Sequence, residues 1–203
     1  QFMNLDPRKQ LCPVRPSNHY QMGGIPTNAF GEVQPTPGTI LSGLYAAGEC
    51  GCASFHGFNR LGTNSILELI TMGRFVGERV VQSLSETAER LPPDAGDRTF
   101  ARFAGYLESK KKENLDQIRE EMRRMMTENV GVFRTEEGLN SAIRLLSDSA
   151  ERVRNAALSC RSLQMNQELV QRWELDNLLS VSMVIAQGAL RRRTTGGASR
   201  PTT

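Results

Sequence analysis

Apolar residues recur at helical spacing in several stretches of this chain, and glycine and proline dominate the segments before them. Between 65 and 81, Ile66, Leu69, Ile70, Gly73, Val76 and Val80 share one face, and Leu67 and Phe75 make the segment apolar nearly all round. The pattern predicts a helix that requires burial on several sides. Ser65 and Glu68, three apart at its start, fit a capping box, in which the hydroxyl accepts from a backbone N–H and the carboxylate reaches back. Farther on, Leu115, Ile118, Met122, Met125 and Met126 form one stripe. Leu139, Ala142, Ile143, Leu146, Ala150, Val153 and Ala157 form another, and 169–189, with Trp173, is a third apolar segment. Three such helices predict a bundle.

The first ninety residues read differently. Gly23-Gly24 and Pro37-Gly38 mark turns, and Gly43-Leu44-Tyr45-Ala46-Ala47-Gly48 is a short apolar run bounded by glycines, which predicts a buried strand. The cluster Pro92-Pro93-Asp94-Ala95-Gly96 reads as a linker. Residues 194–203 hold no apolar side chain larger than Ala and are expected to be disordered. The fold class is therefore α+β: loops, short strands and one buried helix over 1–90, a linker at 91–96, a helical bundle over 97–193, and a tail at 194–203.

Composition narrows the class. Of the 203 residues 38% are hydrophobic and 23% charged, which describes an ordinary globular chain. The most apolar stretch, 65–81, carries Glu68, Arg74, Glu78 and Arg79 and does not predict a membrane span. The net charge of +3 invites a nucleic-acid reading. Residues 1–90, however, balance seven basic against seven acidic side chains, and Arg191, Arg192, Arg193 and Arg200 supply the excess. The basic charge belongs to the tail, so no nucleic-acid partner is expected. Four scattered cysteines predict no disulfide framework, and Cys50-x-Cys52 lacks the second Cys/His pair of a zinc site, so no metal is expected. Residues 1–6 have neither the basic start nor the apolar run of a secretion signal, and the absence of an initial Met predicts a gene product that starts upstream.

Candidate chemistry lies between positions 17 and 68. One piece is Asn18-His19-Tyr20-Gln21-Met22-Gly23-Gly24-Ile25; the other runs from Gly48-Glu49-Cys50 through His56-Gly57-Phe58-Asn59-Arg60-Leu61-Gly62-Thr63-Asn64-Ser65. The second reads as a strand end, an acid, a glycine-rich loop and a helix start, where backbone N–H groups and a positive helix end can receive an anion or an electron-rich ring. Arg60 beside that helix start is costly unless something negative lies between them, and a carboxylate or phosphate ligand resolves the conflict.

These residues resemble the flavoprotein subunits of succinate dehydrogenase and fumarate reductase, within the FAD-dependent oxidoreductase superfamily that L-aspartate oxidase shares. The resemblance extends through Asn129-Val130-Gly131-Val132-Phe133-Arg134 and Trp173-Glu174-Leu175-Asp176-Asn177-Leu178, covering about 7–193. It implies that residues 1–90 are the end of an FAD-binding domain and 97–193 the helical domain that follows. It further implies that His19 and Arg60 bind the carboxylates of succinate or fumarate. Glu49 would bind an FAD hydroxyl, with Asn59, Ser65 and Ile66 also at the flavin. The implied reaction is hydride transfer between a substrate carbon and the flavin, with electrons passed to an iron–sulfur subunit and through it to a membrane anchor. The implied location is the cytoplasmic face of the inner or plasma membrane, as a peripheral subunit.

Two positions depart from the family pattern: Phe58 stands where Ala is usual, and Thr63 where Gly is usual. No Gly-x-Gly-x-x-Gly phosphate loop occurs in the chain. By resemblance that loop and the proton-transferring arginine lie upstream, no catalytic residue is expected within the chain, and the chain on its own is expected to be inactive. An L-aspartate oxidase or soluble fumarate reductase is the alternative enzyme, and a non-catalytic helical interaction module is the alternative from another class. The plainer readings are a structural hydrogen bond for His56, a solvated face for Lys110-Lys111-Lys112, and core filling for Met122, Met125 and Met126.

Overall fold

The computed structural model describes residues 6, 8–13, 19–84, 92–192 and 200–201. The fold is mostly helical with a few two-residue strands. In chain order these are β1 (Ile25–Pro26), a 3-10 turn (Gly48–Cys50), β2 (Gly51–Cys52), α1 (Asn64–Ser83), α2 (Asp97–Glu108), α3 (Leu115–Asn129), β3 (Phe133–Arg134), α4 (Glu136–Asn155), α5 (Gln167–Arg191) and β4 (Arg200–Pro201). β1 pairs in parallel with β2, Ile25 opposite Gly51. β3 pairs in parallel with β4, so two residues of the segment expected to be disordered are paired, while 193–199 and 202–203 lie outside the described residues. No described helix is long and apolar enough to cross a membrane.

The predicted bundle forms. Ile118, Met122 and Met125 of α3, Leu139, Ala142, Leu146 and Val153 of α4, and Leu175, Leu179 and Ala186 of α5 make one buried cluster with Val130. The methionines fill core, as their spacing predicts. Each helix start is satisfied locally: Asn114 accepts from Gln117 N–H, Thr135 from Gly138 N–H, and Asn166 from Leu169 N–H. α4 also carries Glu136 and Glu137 in its first turn and Arg152 and Arg154 in its last, matching its dipole at both ends. The α4 stripe stops at Asn155; Ala156, beyond the helix, is fully buried and bridges to Lys111.

α2 is the helix that periodicity did not flag. Its side chains Phe103, Tyr106 and Leu107 join Leu158 and Leu169 in a second, smaller cluster. A polar box fixes it there. The Tyr106 hydroxyl donates to Asp176 of α5. Arg172, fully buried, stacks its guanidinium 4.0 Å from the Tyr106 ring centroid and donates to the carbonyls of Arg154 and Ala156 at the end of α4. Burial and the bond to Asp176 push the Tyr106 phenol up to about 12. Between α1 and α2, residues 92–96 form the expected turn, with Ala95 N–H bonded to the Pro92 carbonyl; 85–91 lie outside the described residues.

Two expectations for the first part are corrected. Residues 43–48 are not a strand. Gly43 and Gly48 adopt φ of 79° and 73°, which breaks extended backbone at both ends and leaves Tyr45 a single antiparallel bridge to Glu32. α1 forms where predicted, but only Glu68 and Val76 are buried on it. Ile66, Leu67, Ile70 and Phe75 are 59%, 64%, 69% and 51% exposed, because no described residue covers that face. On its inner side α1 is tied to the 28–46 loops by Arg79 to Glu32 at 2.8 Å and Tyr45 to Ser83 at 2.9 Å. Gly31 lies so close to Val76 that a Cβ there would fall 2.2 Å from Val76 Cγ2.

Candidate functional site

The β1–β2 pairing brings the two chemistry-bearing loops side by side. The loop through Gly23-Gly24 runs against the 3-10 turn so closely that a Cβ on Gly24, at φ 132°, would sit 2.5 Å from the Cys50 carbonyl oxygen. Glycine is required there on two counts, backbone conformation and space. The turn carries Glu49 outward, and its carboxylate makes no hydrogen bond or ion pair among the described residues.

The centre of the site is a cluster around Glu68, which is only 5% exposed in the second turn of α1. The Tyr20 hydroxyl donates to Glu68 Oε2 at 2.9 Å, and His56 Nε2 lies 2.7 Å from the same oxygen. A carboxylate only accepts, so opposite Glu68 the imidazole donates. Burial, reinforced by the hydrogen bond and charge of Glu68, pushes the Tyr20 phenol up to about 12 and keeps its proton in place. Tyr20 and His56 meet edge to face, with centroids 5.5 Å apart. A small, partly open cavity of about 30 Å³ lies beside them, bounded by Tyr20, Gly51, Phe55 and Glu68 among others, with room for a water or two.

Arg60 stands over this cluster. Its guanidinium carbon is 4.8 Å from the Tyr20 ring centroid, and its Nη1 donates to the Leu61 carbonyl at 3.1 Å. Its Nε is buried without a hydrogen-bond partner, and no carboxylate of the described residues pairs with it. His19, exposed, immediately precedes Tyr20, so one aromatic ring links the neighbourhoods of both expected carboxylate binders. Asn59 is exposed on the loop before Arg60.

The expected capping box does not form. α1 starts at Asn64, with Thr63 at its N-cap in the left-handed region (φ 75°) and no side-chain cap, and Glu68 is withdrawn to Tyr20 and His56. Ser65 is half-buried and Ile66 exposed in a first turn that holds no acid. Tyr20 and Glu68 are the site residues that motif reasoning missed. The signal for Glu68 was an acid set among the apolar residues Ile66, Leu67, Leu69 and Ile70.

Two family models match the chain: an FAD binding domain over residues 1–66 and the fumarate reductase flavoprotein C-terminal region over 119–200. The succinate dehydrogenase flavoprotein subunit of Coxiella burnetii is 39% identical over 97% of this chain. The mitochondrial succinate dehydrogenase [ubiquinone] flavoprotein subunit of Oryza sativa is 37% identical over the same share. A variant of the E. coli quinol fumarate reductase subunit FrdA superposes on the whole chain with a TM-score of 0.86 at 33% identity. The chain spans about a third of the length of these relatives, 35% and 32% of the two sequences and 34% of the solved chain. With both loops, the α1 start and the helical bundle all matched, the chain belongs to the succinate dehydrogenase/fumarate reductase flavoprotein family.

Proposed function

We propose that this chain is the later part of an FAD-dependent flavoprotein subunit that interconverts succinate and fumarate, with electrons exchanged through an iron–sulfur subunit held at a membrane by an anchor, as a peripheral subunit on its cytoplasmic face. In this reading 1–90 completes an FAD-binding domain, 91–96 links it to a helical domain over 97–193, and 194–203 is a separate tail. The uncovered apolar face of α1 would then be core in the complete subunit.

Arg60 carries the reading. A guanidinium with a buried, unpartnered Nε and no carboxylate partner among the described residues, set just before a helix start free of acidic residues, calls for an anion. A dicarboxylate supplies it, with Arg60 on one carboxylate in bidentate geometry and exposed His19 on the other. The residues also fit a flavin: Ser65 and Ile66 lie in the first turn of α1, whose positive end suits the charge that gathers on a reduced ring, with Ser65 offering its N–H while that of Ile66 bonds the Thr63 carbonyl, and Glu49 offers a free acceptor for a hydroxyl. FAD, when bound, supplies the hydride chemistry. The chain's own residues hold the substrate in register with it and place positive charge at its carboxylates.

The test is succinate-dependent dye reduction by the complete flavoprotein. Arg60→Ala is expected to lower kcat/KM by about a hundredfold or more, as removal of a charge-paired substrate contact does. Unchanged turnover in that variant would remove the carboxylate-binding role.

A further inference from the structure

We propose that Glu68 is a positioning residue for this site: by anchoring the Tyr20 ring under the Arg60 guanidinium, it fixes the spacing between Arg60 and His19. The inference rests on the reading of those two residues as carboxylate binders.

Glu68 is one of two buried residues on a helix whose other side chains mostly face outward. A buried carboxylate is unfavourable unless donors converge on it, and here both donors meet a single oxygen, Oε2. One donor, Tyr20, is the ring on which Arg60 rests. The other, His56, packs edge-on against that same ring, at an interplanar angle of 81°, and closes the assembly from the opposite loop. Arg60 has little else to orient it: one bond to the neighbouring Leu61 carbonyl, and a buried Nε with none. The ring face therefore sets where the guanidinium points. Because Tyr20 follows His19 directly, anchoring its hydroxyl also holds the backbone that carries His19. Glu68 is only 5% exposed and both of its donors converge on one oxygen, so it acts through Tyr20 rather than on substrate. A substrate with two carboxylates a fixed distance apart is sensitive to that spacing before it is sensitive to anything in the chemical step.

The experiment measures steady-state succinate oxidation by the complete FAD-loaded flavoprotein for wild type, Tyr20→Phe, Glu68→Gln, the double variant and Arg60→Ala. Tyr20→Phe keeps the ring and removes the anchoring hydroxyl; Glu68→Gln keeps the volume but replaces the charged acceptor with a neutral amide oxygen, which weakens both bonds. Each single variant is expected to raise KM about tenfold with kcat changed less than about threefold, and the double variant to match Glu68→Gln alone. The flavin absorption spectrum should be unaltered. Wild-type KM in the single variants, or effects that multiply in the double variant, would overturn the proposal. If Glu68→Gln does not assemble with flavin, Tyr20→Phe decides by the same KM criterion. Loss of turnover in Arg60→Ala beside wild-type KM in the others removes the positioning role and leaves the substrate site standing. Unchanged Arg60→Ala turnover removes the site reading itself.

Discussion

Thr63 shows what one residue can cost. It holds φ 75° and ψ −24° at the N-cap of α1 and gains no side-chain capping bond for doing so. A β-branched side chain in the left-handed region is strained by about 1–3 kcal/mol, and glycine relieves that strain while losing part of the gain to its freer unfolded chain. Thr63→Gly is therefore expected to stabilise this chain by about 1 kcal/mol, read as a higher urea midpoint with an unchanged slope. A lower midpoint would show that the hydroxyl or methyl of Thr63 contributes more than its backbone costs. Glu68 makes the complementary point. Its position three residues after Ser65 suits a cap, yet the loops bring two donors to it, and a buried carboxylate goes where donors converge.

At the scale of elements, α3 and α4 are joined by charge as well as by core. Arg152 of α4 reaches Glu113 at 3.1 Å and Glu121 of α3 at 2.7 Å, and Lys111 adds to Glu113 at 3.2 Å. Hydrogen bonds from Lys111 and Arg152 hold Glu113 below the ordinary carboxylate range, and those from Arg152 and Gln117 do the same for Glu121. Carboxylates depressed in the folded state contribute stability that is present above their unfolded value and is lost as pH falls through the folded one. Tm is thus expected to fall as pH drops below about 4.5, and Arg152→Met should flatten that dependence while lowering Tm near neutrality. The pairs are partly exposed, so the effect is modest and shrinks in high salt. An acid dependence identical in wild type and Arg152→Met would contradict the assignment.

What was legible in the sequence follows from the kind of signal each element carries. α3 and α4 each pack one clear stripe into a common core and α5 joins it as an apolar segment, so the hydrophobic pattern located all three. α2 carries the same helical spacing in Phe103, Tyr106 and Leu107, but over little more than one turn, and its burial is completed by a polar box with Arg172 and Asp176, contacts distant in sequence. The run 43–48 looked like a strand because it is apolar, but its glycines bend it. The loop motifs pointed to Arg60 and His19, whereas the Tyr20–Glu68–His56 cluster exists only once β1 and β2 pair.

At the scale of the whole molecule, α1 presents apolar side chains that nothing described covers, and one family model ends on its first turn while another takes over in α3. Under the proposed function this chain is one part of a larger catalytic unit, in which a dicarboxylate would lie between His19 and Arg60 beside a flavin. Anaerobic spectroscopy of the complete flavoprotein tests that claim most directly. Succinate should bleach the flavin absorption and fumarate should restore it, in wild type and far more slowly in Arg60→Ala. A flavin that binds but stays oxidised with saturating succinate, and is not reoxidised by fumarate after chemical reduction, would contradict the account.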